Sequence, residues 1–113
     1  MYLLIIILNK EEYLGDLLSV LIELGVMDAT IVDSEAIGKA LAVKVPIFAG
    51  LRLRGDRIFS KTIFALVEDK NTGDEIVHLL KDIGIDLLTP GVGRIVTIKV
   101  ESALGTPSPP DIV

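Results

Sequence analysis

The run Thr89-Pro90-Gly91-Val92-Gly93-Arg94 is the part of this 113-residue chain best suited to hold an anion. Glycines let a backbone approach phosphate oxygens closely, so that successive N–H groups and an adjacent cation can bind them together. A glycine-rich turn that simply feeds a strand, with Arg94 in solvent, has the same composition, and both readings stay open here. The single histidine, His78, falls on a helical register away from Ile76, Leu79, Leu80 and Ile83 and has Asp82 four residues on, which suits a solvated surface position. No Gly-x-Ser-x-Gly elbow accompanies it, so a hydrolytic triad is not expected.

Other chemistry is narrowed by composition. With no cysteine, disulfides, thiolate zinc sites and cysteine nucleophiles are excluded. Acids are plentiful, but Glu11, Glu12, Asp16, Asp74 and Glu75 fall where helix first turns and exposed faces use them. Glu68 to Asp74 only faintly suggests a calcium loop, and no metal ligand set or catalytic residue is assigned.

Charge is unevenly spread over a chain of net charge −5. Lys39 to Lys61 holds Lys39, Lys44, Arg52, Arg54, Arg57 and Lys61 against Asp56 alone, leaving a strongly acidic remainder. The overall acidity argues against nucleic acid as a partner, since phosphate neutralisation needs a cationic surplus. The apolar run Leu3 to Leu8 lacks a basic leader and is too short to span a bilayer, so a cytoplasmic protein without membrane insertion is expected.

The elements that must carry these residues come in two similar halves. Tyr2 to Leu8 is an aliphatic run of strand length, after which Leu14, Leu17, Leu18, Leu21 and Ile22 take helical spacing, and a strand follows at about Ala29 to Glu35. The order repeats with a strand near Phe59 to Val67, a helix from Gly73 to Ile83 and a strand near Arg94 to Glu101. Asn9 with Glu12, and Thr72 with Glu75, resemble capping boxes, and Gly25 and Gly84 stand at matching helix ends. Glu23-Leu24-Gly25-Val26 is mirrored by Asp82-Ile83-Gly84-Ile85.

A duplicated βαβ unit of this kind predicts an α+β, ferredoxin-like βαββαβ sandwich: a four-stranded antiparallel sheet with two helices on one face. The expected domain covers residues 1–105, followed by a flexible Pro-rich tail over 106–113. The strands read as nearly continuous apolar runs, so the face without helices needs a cover, and an oligomer packed through its sheets is the simplest one. Between the halves, Ala36 to Arg57 is too long for a plain connection and is the expected functional insertion.

In their order, several segments resemble the nitrogen regulatory PII superfamily, in particular its shorter PII-like branch. They are the strand Leu3 to Leu8, Ala29-Thr30-Ile31-Val32 leading to Gly38-Lys39, Pro46-Ile47-Phe48-Ala49-Gly50-Leu51-Arg52, Lys61 to Asp69, and Gly91-Val92-Gly93-Arg94. The resemblance implies a homotrimer with ligand clefts between subunits, and a loop between strands two and three that docks onto a transporter or enzyme partner. It implies a small anionic metabolite or an adenine nucleotide (ATP, ADP or AMP) as ligand, held by Thr30, Gly38 and Lys39 on one wall and by Gly91, Gly93 and Arg94 on the other. The partner loop, 38–57, would present Arg52, Arg54 and Arg57.

Departures from the signalling members are also visible. The chain has no Gln, its two tyrosines, Tyr2 and Tyr13, lie outside the loop, and the segment after Gly105 has no Arg. A trimer of the CutA type, linked to divalent-cation tolerance, shares the fold and is the alternative. An acylphosphatase-like enzyme would need an Arg in the first turn, where Asn9-Lys10-Glu11 stands instead. A non-enzymatic regulator is therefore the expected class.

Overall fold

The computed structural model describes residues 1–35, 37 and 59–105. Strand β1 (Tyr2–Leu8) leads through a 3-10 turn (Glu11–Tyr13) into helix α1 (Leu14–Glu23) and strand β2 (Ala29–Asp33). Strand β3 (Lys61–Val67), helix α2 (Thr72–Asp82) and strand β4 (Gly93–Lys99) repeat the pattern. The strands form one sheet in the order β2-β3-β1-β4, with every neighbouring pair antiparallel. This is the expected ferredoxin-like α+β arrangement. Among the described residues, no helix is long and apolar enough to cross a membrane.

Strand alternation decides which residues meet the helices. Leu4, Ile6 and Leu8 of β1, with Ile63 and Val67 of β3, are buried in one cluster with Leu17, Val20 and Leu21 of α1 and Ile76 and Leu80 of α2. Each such side chain removed from water contributes roughly 1.5–3 kcal/mol, which makes this cluster the main source of stability. Gly73 lets α2 sit close to the sheet, since an added Cβ there would come 3.2 Å from Ile95 Cγ2.

The helix ends differ from the sequence reading at one end and agree at the other. Neither expected capping box forms: both N-caps lack a side-chain hydrogen bond, and α1 begins only at Leu14, after the 3-10 turn has taken up Glu11 and Glu12. Before α2, Asp69 does the work instead, its carboxylate accepting from Asn71 N at 2.8 Å and its carbonyl from Thr72 Oγ1 at 2.9 Å. This local Asx arrangement competes with a cap and wins because Thr72 is already inside the helix.

At the C-termini both halves close alike. Gly25 and Gly84 have φ of 80° and 88°, and Val26 N donates to Leu21 O as Ile85 N donates to Leu80 O. These are paired Schellman closures, a structural echo of the sequence repeat. Ile83 was expected in the buried stripe of α2 but is 56% exposed, because it is the cap residue where the chain leaves the helix; Thr72 and Gly73 at the other end are buried instead.

Candidate functional site

Pleat parity assigns the candidate residues to faces. Side chains opposite the helices are Leu3, Ile5 and Ile7 of β1, Thr62, Phe64 and Leu66 of β3, Thr30 and Val32 of β2, and Arg94, Val96 and Ile98 of β4. Phe64, Leu66 and Ile98 are 37%, 44% and 45% exposed. Among the described residues no helix covers this largely apolar face, although Thr62 on it is buried, and the only charged strand residue on it is Arg94 at one corner.

Thr30 lies in the cross-strand row Thr30, Phe64, Ile5, Val96, and Arg94 in the row Val32, Thr62, Ile7, Arg94. Both belong to the helix-free face, but they occupy its two outer strands. Three strand spacings separate those strands, roughly 14 Å. A single chain thus does not bring Thr30 beside Gly91, Gly93 and Arg94. Gly38, Lys39, Arg52, Arg54 and Arg57, with the rest of the loop 38–57 and the tail 106–113, lie outside the described residues.

The glycine turn has structural work of its own. Val92 N donates to Thr89 O at 3.1 Å, and Gly91, with φ of 87°, follows Pro90 in the pattern of a type II turn. An added Cβ on Gly93 would stand 2.7 Å from Ile7 O and 2.8 Å from Leu87 Cδ1, so this glycine permits the close approach of β4 to β1. The backbone N–H of Val92 is consumed within the turn, which leaves Arg94 as the element with the clearest capacity for an anion. Arg94 is exposed and has no ion-pair partner among the described residues.

The sheet end from which the basic insertion departs is pinned by contacts that the sequence did not advertise. Ser34 N donates to Ser60 O at 3.1 Å, the two Oγ atoms lie 2.7 Å apart, and Lys61 is ion-paired with Asp33. Serines in strand-end positions give no pattern signal, so only the register reveals this staple. The two ends of the insertion consequently start from adjacent strands at a fixed separation. On the same end, Asn9 N donates to Val92 O at 2.9 Å, while the buried Oδ1 of Asn9 has no hydrogen-bond partner among the described residues.

Elsewhere, Glu23 and Leu24 at the end of α1 and Asn71, Asp74, Glu75, His78 and Leu79 of α2 line an open groove of about 620 Å³. His78 is exposed there and lies 3.7 Å from Asp82, as its spacing suggested. No three His, Cys, Asp or Glu side chains among the described residues converge as metal ligands. Two further grooves formed by described residues also exclude Thr30, Gly91, Gly93 and Arg94.

Compared with models of known protein families, the chain matches none, and no curated protein matches its sequence.

Proposed function

We propose that this chain is a PII-like regulatory protein that works as a homotrimer, binds a small anionic ligand between subunits, and engages a protein partner through the loop 38–57. The observation that carries the reading is Arg94: a guanidinium without a described counter-charge, set at the corner of an uncovered apolar face and preceded by a glycine turn. Burying that face against further copies removes Arg94 from bulk water, where an unpaired charge is costly and an anionic ligand relieves the cost.

Adenine nucleotides are the leading ligand class, and the basic loop, with Arg52, Arg54 and Arg57, supplies the partner contact. The Ser34–Ser60 staple supports a loop presented from one fixed end of the sheet. Calorimetric titration with ATP, ADP, AMP, a cyclic nucleotide and bicarbonate tests the ligand half: saturable binding of one of them is expected, and its absence for all five removes that half.

A further inference from the structure

We propose that the open groove between the two helices seats the basic insertion, residues 39–57, of a second copy of the chain. The contact is independent of the sheet-face trimer and its ligand, because the groove lies on the helix side of the sheet. Leu24 and Leu79 give it a partly buried apolar lining, and Glu23, Asp74 and Glu75 stand exposed around them. Neither Lys nor Arg lines it, and none of the three carboxylates is ion-paired among the described residues. Like charges beside apolar surface favour an occupant that brings both cations and hydrophobic side chains.

The spacing of the carboxylates selects the kind of occupant. They do not converge as metal ligands, so their complement is a series of cations along a chain rather than a single ion. Such a series is present in every copy: residues 39–57 hold Lys39, Lys44, Arg52, Arg54 and Arg57 against Asp56 alone. Within them, Leu51-Arg52-Leu53-Arg54 alternates apolar with basic residues, and Val45-Pro46-Ile47-Phe48 adds a further apolar run. Leucines of that pattern suit the lining, while long arginine side chains reach round to carboxylates at the rim.

Position assigns the contact to a second copy. The insertion leaves the sheet after Asp33 of β2 and returns at Lys61 of β3, where the Ser34–Ser60 contact ties its two ends together. Glu23 and Leu24 precede β2 and Asn71 follows β3, at the other end of that strand pair. The length of β3 puts roughly 23 Å between the two ends. The insertion is thus rooted far from the groove of its own copy, whereas a neighbouring copy offers its groove directly. While seated there, the insertion is withheld from the protein partner proposed above.

Charge exchange in the full-length protein tests the contact. In sedimentation velocity at low salt, the parent should associate beyond the unit it forms at high salt, where exposed charges are screened. Reversing the groove (Glu23→Lys/Asp74→Lys/Glu75→Lys) or the insertion (Arg52→Glu/Arg54→Glu/Arg57→Glu) should weaken that association about tenfold or more, with an unchanged far-UV circular dichroism spectrum. Mixed in equal amounts, the two reversed proteins should associate again, since each offers the other a groove of opposite charge to its insertion. The neutral variant Glu23→Gln/Asp74→Asn/Glu75→Gln should also lose the association, and carries the test if the lysine variant does not fold. An equal charge change away from the groove, Glu11→Lys/Glu12→Lys/Asp16→Lys, should keep it. Association retained by a groove variant, or lost in that control, would overturn the groove as the seat, and a mixture that stays dissociated would overturn the exchange between copies. A parent that does not self-associate at low salt would overturn the proposal and leave the groove to a basic segment of another protein. The unit that persists at high salt reports on the trimer separately.

Discussion

Thr30 and Arg94 project from the same helix-free face of the sheet but stand on its opposite outer strands, in adjacent cross-strand rows. In one chain this geometry separates a hydroxyl and a cation that the sequence resemblance puts in one ligand site. In the trimer proposed above, Thr30 of one copy and Arg94 of another would have to supply the two sides of one site.

The first prediction concerns the cation. Arg94→Ala should reduce ATP affinity at least tenfold, since a hydrogen bond to a charged group is worth about 1.5–3 kcal/mol. Its side chain is exposed in the single chain, so monomer stability should move by no more than about 0.5 kcal/mol. Calorimetry with urea denaturation as control separates the two effects, and unchanged affinity would remove Arg94 from the site.

The two turn glycines should respond differently to alanine. Gly93→Ala forces a Cβ against the Ile7 carbonyl and Leu87, where the backbone has little room to yield, and should cost about 1–3 kcal/mol or more. Gly91→Ala meets no atom within 4 Å but must hold φ near 87°, a cost of roughly 1–2 kcal/mol. Equal effects in chemical denaturation would argue against the close approach at Gly93.

Phe64→Asp probes the uncovered face. Phe64 is 37% exposed in the single chain and sits in the row between Thr30 and Ile5. A carboxylate there should abolish the trimer while leaving the far-UV spectrum unchanged, because its side chain points away from the Leu4–Ile6–Leu8 core. By contrast, Ile6→Ala, fully buried, should destabilise the fold itself by about 2–5 kcal/mol. A trimeric Phe64→Asp protein would show that this face is not the interface.

The paired helix closures give an internal control. Gly25→Ala and Gly84→Ala each place a Cβ residue at positive φ with no steric neighbour, so each should cost about 1 kcal/mol. They close separate helices, so the double variant should lose close to the sum of the single losses in urea denaturation. A marked departure from additivity would mean that the two closures are coupled.

The fold was legible because its information is periodic. The continuous aliphatic run of Tyr2 to Leu8 has strand length, the spacing of Leu17 and Leu21 is helical, and Gly25 and Gly84 mark matching helix ends in the two halves. The helix starts were not, since Asn9 and Thr72 have capping composition, while Thr72 Oγ1 donates to Asp69 O and Asn9 Oδ1 has no partner among the described residues. The candidate site was legible only in part. Gly91 and Gly93 turned out to have turn and packing reasons to be glycine, and the separation of Thr30 from Arg94 depends on strand order, which no local motif encodes. The Ser34–Ser60 contact likewise follows from register across 26 residues of chain.

The most direct test is complementation between subunits. Thr30→Val and Arg94→Ala proteins should each bind ATP at least tenfold more weakly than the parent when assayed alone. Unfolded, mixed in equal amounts and refolded together, they should regain tight binding at about a quarter of the sites, because some junctions then join an intact Thr30 from one copy to an intact Arg94 from the other. Recovery near that fraction is the result the account predicts. A mixture that binds no better than either variant alone, or a variant that binds as tightly as the parent, would contradict a site divided between chains.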